Sequence, residues 1–224
     1  MLNSAWPSNL WRLYDYFLVP DASYYAVRKA CEPIHVMFGY HDRIVYVSNS
    51  LYSSIKPTGG LEVQIHVLSL IGEVLFQNMV KLPNGLESDS VVSAGTVPII
   101  TSTVGDSYFL RLELTEVGSK EMLSSNTYWL PVQPEIIDWT TPVPNVTRFA
   151  NLTVLPSSKF TWKYTTEIIS GIISIHLQLY NPADSPPAFM VRGRVTRGDT
   201  DIDVTPIFWT DNFLTLIPDE AITI

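Results

Sequence analysis

The sequence predicts a mainly β fold with two β-sandwiches in tandem, and three features of the residue pattern carry this prediction. Short apolar runs alternate with polar residues and are separated by Gly, Ser, Asn and Pro, which is typical of immunoglobulin-like sandwiches of about 100 residues each. A proline-rich stretch, residues 131–156, separates two such series. A helical pattern is confined to residues 20–33.

The helix is predicted from the residues that would begin and end it and from one stripe of apolar residues. Asp21 or Ser23 offers an N-cap and Pro33 stops the helix. Tyr24, Val27 and Cys31 recur at i, i+3 and i+7, so we expect them to form the packed face.

Seven short strands are predicted in the first sandwich. The pattern is clearest around residues 61–67, where Leu, Val and Ile alternate with Glu, Gln and His. The predicted strands are 35–38, 44–48, 61–67, 74–76, 97–101, 108–114 and 126–130.

A second series of strands follows the proline-rich stretch and predicts the second sandwich. The predicted strands are 160–165, 171–180, 188–194, 201–205, 213–216 and 221–224. Since the series stops in a strand, the pattern suggests that this sandwich is truncated.

Composition excludes several classes of protein. Hydrophobic residues make up 46% and charged residues 16% of the 224 residues, which argues against disorder. The formal charge of -8 disfavours nucleic acid and anionic membranes as partners. Apolar runs are too short for a membrane span, and the N-terminus lacks a signal-peptide pattern. One cysteine and four scattered histidines predict no metal site, and we expect no cofactor.

Acidic residues offer weak catalytic candidates. Glu113 with Glu116, and Glu135 with Asp138, are the available carboxylate pairs, and surface charge explains them better than acid–base chemistry. Asp199, Asp201 and Asp203 lack the Gly and Glu that a calcium loop needs; a strand with Ile202 and Val204 facing the core explains the spacing better. No catalytic residue is therefore predicted.

Two sequons lie close together, at Asn145 and Asn151. Both are glycosylation candidates and favour a protein of the secretory pathway. A secretory protein without a signal peptide suggests a missing N-terminus.

Five blocks resemble glycoside hydrolase family 2, and most of all its exo-β-D-glucosaminidase branch. The first is MLNSAWPSNLWRLYDYFLVPDASYYAVRKACEPIHV, residues 1–36, which resembles the end of that family's catalytic barrel. NTYWL (126–130) and Asp138–Trp139 resemble the end of an accessory sandwich and the link after it. AFMVRGRVT (188–196) and PIFWTDNFLTLIPDE (206–220) resemble its last immunoglobulin-like domain.

The resemblance implies a domain order and a site. Residues 1–34 would be a strand–helix remnant of a TIM barrel, 35–133 one immunoglobulin-like sandwich and 134–224 another. Trp6, with Asn3, would line the subsite for a terminal sugar at the C-terminal end of a barrel strand. Ser4 departs from the family's usual Asn, which leaves a polar role there open.

The resemblance also implies where catalysis occurs. Family members are retaining enzymes that use two glutamates on earlier barrel strands, and neither has a matching position here. We therefore expect an inactive accessory region of a secreted glycosidase, whose partners are the barrel of the parent enzyme and a glucosamine-containing oligosaccharide such as chitosan. Two alternatives stay open: a self-standing carbohydrate-binding or interaction module, and a β-mannosidase-type remnant.

Overall fold

The computed structural model describes residues 6, 12–101, 103, 105–133, 140 and 149–224. The chain divides into two compact units, one of Cys31–Pro156 and one of Met1–Ala30 with Ser157–Ile224. The predicted boundaries at residues 34 and 133 remain a prediction.

The unit Cys31–Pro156 is an immunoglobulin-like sandwich of two antiparallel sheets. One sheet has the strand order β1-β2-β5 and the other β4-β3-β6-β7. Its strands are β1 Ile34–Phe38, β2 Ile44–Asn49, β3 Leu61–Ser69, β4 Val74–Leu82, β5 Ser90–Thr96, β6 Ser107–Glu116 and β7 Met122–Pro131, followed by the 3-10 helix Ala150–Val154.

The core of this sandwich follows from the alternating apolar residues. Val63, Ile65 and Val67 of β3 are fully buried because they point between the two sheets. Leu110, Leu112 and Leu114 of β6 are also fully buried and belong to the same cluster. In the register of β3 with β6, these three lie opposite the three β3 residues, as in Ile65 opposite Leu112. Such cross-strand pairs stabilise the sheet.

The fifth strand differs from the prediction. It runs over Ser90–Thr96, whereas the predicted segment 97–101 has no strand structure in its described residues. Val97 and Ile100 are buried from a non-strand backbone, and Pro98 between them has no N–H to give to a sheet. A register shift where β5 pairs with β2, between Ile44 and Tyr46, breaks the alternation that marks a strand.

The second unit contains a three-stranded sheet, β12-β9-β8, and a two-stranded sheet, β10-β11. The strands are β8 Thr161–Ile169, β9 Ile172–Asn181, β10 Ala188–Val191, β11 Leu214–Leu216 and β12 Glu220–Thr223. A smaller core joins them, with Leu179, Ala188, Leu214, Leu216 and Ile224 buried.

The predicted strand 201–205 is wrong. Only an isolated bridge, Thr196 to Asp203, forms there. Ile202 is 62% exposed although it was expected to face the core. Asp201 and Asp203 both bind Arg194, with Asp201 90% exposed and Asp203 partly buried, so the expected alternation of acidic residues outward and apolar residues inward is absent.

The helix of this unit is α1, Ala22–Ala30. Its buried residue is Tyr25, whereas Val27 is 47% exposed and Cys31 is exposed. The predicted stripe of Tyr24, Val27 and Cys31 is therefore not the packed face.

Candidate functional site

The structure describes only one of the two residues predicted to contact sugar. Trp6 is 70% exposed. Asn3 lies outside the described residues, as does the sequon residue Asn145. The other sequon residue, Asn151, is half-buried within the helix Ala150–Val154. The role of Trp6 and Asn3 in binding sugar therefore stays a prediction.

A tight turn follows Trp6 along the chain and is held by one carboxylate. Asp15 Oδ1 accepts hydrogen bonds from the N–H groups of Phe17 and Val19, each at 2.8 Å. Leu18 adopts a left-handed φ of 64° in this turn. Phe17 and Leu18 are 71% and 64% exposed, so the turn presents large apolar side chains to solvent.

Helix α1 begins beside this turn and is tied to it. Asp21, the residue before α1, accepts a hydrogen bond from Arg12 Nε at 2.7 Å. Ser23 donates to the Arg12 carbonyl at 2.5 Å. These two bonds connect the start of the helix to the segment before the turn.

The opposite face of α1 is fixed to residues 209–213 of the same unit. Tyr25 is 5% exposed, and its ring lies 6.2 Å from that of Phe213 between centroids. Lys29 Nζ pairs with Asp211 Oδ2 at 2.9 Å. Arg28 donates to the Trp209 carbonyl at 3.0 Å. Burial raises the pKa of Tyr25 above its ordinary value, so the side chain stays a neutral anchor.

An open cleft lies in this unit, between the turn and the segment 192–209. Its aromatic lining is contributed by Tyr14, Tyr25, Phe208 and Trp209, and its charged lining by Arg192, Arg194 and Asp203.

Ion pairs occupy the charged side of the cleft. Arg194 donates to Asp203 and to Asp201, both at 2.8 Å, and these bonds raise the pKa of the guanidinium. Arg192 lies 3.4 Å from Asp203 and its guanidinium is 5.5 Å from the Phe213 ring centroid. Because Asp203 is shared by two arginines, the cleft suits binding better than proton transfer.

The predicted carboxylate pairs form no acid–base site among the described residues. Glu113 pairs with Arg111 at 3.0 Å, and Glu116 accepts from the Ser119 hydroxyl at 2.8 Å. Three residues apart on β6, the two glutamates project from opposite faces of the sheet. Glu135 and Asp138 lie outside the described residues.

The described part of the chain shows neither a metal-binding cluster nor a membrane-spanning helix. No group of three or more His, Cys, Asp or Glu side chains there could hold a metal ion. No helix of those residues is long and apolar enough to cross a membrane.

Sequence reasoning missed an exposed aromatic pair on β8. The rings of Trp162 and Tyr164 stack at 19° with centroids 6.2 Å apart, and they are 62% and 60% exposed. Their i, i+2 spacing was the available signal, since it places both on one face of a strand.

By its fold, the chain is a mainly β protein of immunoglobulin-like domains. Residues 138–224 match the exo-beta-D-glucosaminidase Ig-fold domain family. The whole chain is similar to the C-terminal part of an exo-β-D-glucosaminidase-like enzyme of glycoside hydrolase family 2, which confirms the predicted resemblance.

Individual relatives agree with that assignment. The exo-beta-D-glucosaminidase of Arthroderma benhamiae is 31% identical over 99% of this chain and 25% of its own length. That of Streptomyces avermitilis is 29% identical over 100% of this chain and 25% of its own length. The crystal structure of Amycolatopsis orientalis exo-chitosanase CsxA superposes with a TM-score of 0.82 at 25% identity, covering 100% of this chain and 26% of that one. The chain thus spans about a quarter of these relatives' length.

Proposed function

We propose that this chain is the accessory C-terminal region of an exo-β-D-glucosaminidase, the intact enzyme releasing terminal glucosamine from chitosan oligosaccharides with retention. In this proposal the two catalytic glutamates belong to the barrel, and the chain alone is inactive. The names of the relatives support the activity, and a complex of CsxA with PNP-beta-D-glucosamine supports the sugar.

The exposed apolar face before and on α1 is the observation that carries the proposal. Tyr16, Phe17, Leu18 and Val27 are between 47% and 71% exposed, whereas the other face of α1 is fixed by Tyr25. In a TIM barrel the helices form a ring around the strands, so a helix that comes from a barrel has one face that the barrel covers. The exposed face therefore fits the surface that a barrel would cover, and exposed apolar patches commonly mark such contacts.

A chimaera tests this role. The C-terminal quarter of the Amycolatopsis orientalis enzyme is replaced by this chain, and glucosamine release from chitosan oligosaccharides is measured. We expect activity, and we expect Trp6→Ala to lower kcat/KM by about tenfold or more because a wall of the sugar subsite is lost. Tyr52→Ala is the matched control, since Tyr52 is a fully exposed aromatic residue of the other unit. A folded chimaera in which Trp6→Ala and Tyr52→Ala are equally active refutes the role of Trp6.

A self-standing carbohydrate-binding module is the second candidate. The stacked, exposed pair of Trp162 and Tyr164 favours it, because flat aromatic faces stack on sugar rings and attract cationic amines. Calorimetric titration of the chain with chitosan oligosaccharides separates the candidates. Binding that disappears in Trp162→Ala supports the module, and absence of binding at millimolar sugar contradicts it.

The β-mannosidase alternative has weaker support. The β-D-mannosidase of Dictyoglomus thermophilum shares the fold with a TM-score of 0.59 at 17% identity. That likeness concerns the fold alone, so we keep glucosaminidase as the proposal.

We propose an extracellular location for the intact enzyme, supported by the two sequons. Expression of the chain behind a yeast secretion leader tests them. Removal of N-glycans should shift its electrophoretic mobility, and Asn145→Gln and Asn151→Gln should each remove one step of that shift. Identical mobility before and after enzymatic deglycosylation would contradict the use of these sequons.

A further inference from the structure

Strand β8 lies at the edge of its sheet. In the order β12-β9-β8, its outer side has no neighbouring strand among the described residues. The strand is nine residues long, contains neither Pro nor Gly, and is exposed throughout. Such an edge, with neither a proline nor a bulge to block it, is a template for pairing with another strand.

The hairpin turn determines which backbone groups are free. Ser170 and Gly171 have φ of 52° and 82° and form a two-residue loop, with Ile169 opposite Ile172. In such hairpins the pair that flanks the loop is hydrogen-bonded, and the bonded pairs alternate along the strand. The N–H and C=O groups of Ile169 and every second residue before it therefore face β9. Those of the residues between them point outward: Trp162, Tyr164, Thr166 and Ile168.

A second copy of the same strand fits this edge in one antiparallel register. When Thr165 lies opposite Thr165 of the second copy, the four outward-directed residues pair only with one another. Tyr164 then meets Thr166, and Trp162 meets Ile168. The pairing satisfies all eight outward backbone groups of each strand, and the aromatic–aliphatic pairs are favourable across strands.

Charge complementarity selects that register over its neighbours. Lys163 and Glu167 are two residues to either side of Thr165, on the same face of β8. In the Thr165-centred register each Lys163 lies opposite Glu167 of the second copy, so two ion pairs form by symmetry. Registers centred on Tyr164 or Thr166 place Lys163 opposite Thr165 or Ile169 instead. Glu167 already accepts from His176 at 2.9 Å, and a carboxylate can serve both groups.

We propose that β8 is a homodimerisation edge, at which two copies of this chain form a continuous six-stranded sheet around a twofold axis at Thr165. This is an isologous contact, so it closes after two copies. The proposal concerns self-association and does not depend on the proposed glycosidase function.

Cysteine cross-linking tests the register directly. In a Cys31→Ser background, Thr165→Cys should form an intermolecular disulfide on mild oxidation, because two non-hydrogen-bonded residues facing each other are close enough for one. Thr161→Cys is the matched control, since Thr161 is also exposed on the same face but lies far from its own counterpart in this register. Equal cross-linking of the two variants overturns the proposal.

Charge reversal tests the interaction without a cross-link. Sedimentation equilibrium should show a dimer for the wild-type chain, with a dissociation constant raised about tenfold by Lys163→Glu or Glu167→Lys alone. The double variant should recover wild-type association, because the swapped charges face each other again. Circular dichroism verifies the fold of each variant. A wild-type chain that stays monomeric up to about 200 µM overturns the proposal, because a dimer with a micromolar dissociation constant would be populated at that concentration. So does a dimer that is indifferent to the charges.

Discussion

Tyr25 anchors helix α1 to its unit, and replacing it gives a prediction with a defined magnitude. Its side chain is 5% exposed and contacts the Phe213 ring. Removal of a buried aromatic side chain costs about 3–5 kcal/mol. At about 1.4 kcal/mol per factor of ten, the lower figure corresponds to more than a 100-fold change in an equilibrium constant. In Tyr25→Ala, amide hydrogen exchange across Ala22–Ala30 should therefore accelerate by about two orders of magnitude.

Val27→Ala is the matched control on the same helix. Val27 is 47% exposed, and alanine has the better helix propensity, so exchange in α1 should change less than threefold. Mass spectrometry of peptides from the helix measures both variants, with peptides from β3 as an internal reference. Unchanged exchange in Tyr25→Ala, or a larger effect in Val27→Ala, would refute the assignment of the packed face.

Three further predictions concern the sandwich of Cys31–Pro156. Leu112→Ala removes a fully buried side chain and should lower the free energy of unfolding by about 2–5 kcal/mol in urea titrations; a loss below 1 kcal/mol would contradict its core position. Gly60 has φ +80, and an added Cβ would lie 2.7 Å from the Leu82 carbonyl oxygen, whereas Gly171 of the other unit has φ +82 and open space around it. Gly60→Ala should therefore lower the free energy of unfolding by about 3 kcal/mol and Gly171→Ala by about 1 kcal/mol. Equal losses in the two variants would exclude a steric effect. Burial lowers the pKa of His66 below its ordinary 6.5, so the unfolded state binds a proton at higher pH than the folded state, and the free energy of unfolding should fall as the pH drops through 6.5. His66→Gln should flatten this pH dependence of stability between about pH 7.5 and 5.5. An identical slope in the variant would contradict the prediction.

The alternating strands were predictable because their cause is local. In β3 the apolar residues are buried between sheets and every second residue faces outward, so period two is visible in the sequence itself. Strand β5 was not predicted, because its sequence SVVSAGT has small residues and a bulge beside it. The strand prediction at 201–205 failed for a different reason. Asp201 and Asp203 bind Arg194 from a turn, and no periodic pattern encodes such an ion pair.

The packed face of α1 was unpredictable for a related reason. Tyr25 shares its face of the helix with Arg28 and Lys29, so that face shows no apolar stripe in the sequence, and only contacts with residues 209–213 make it the packed one. The sequence resemblance anticipated the relatives correctly, since it depended on specific runs such as the one around Trp6. It could not supply the cleft or the β8 edge, because both depend on how distant segments meet.

Glucosamine release by the purified 224-residue chain tests the central claim most directly. The chain and the Amycolatopsis orientalis enzyme are incubated at equal molar concentration with chitosan oligosaccharides, and free glucosamine is quantified by chromatography. We predict release by the intact enzyme and none by the chain, because the catalytic glutamates are expected on the barrel. Glucosamine released by the chain in proportion to its concentration would contradict the account.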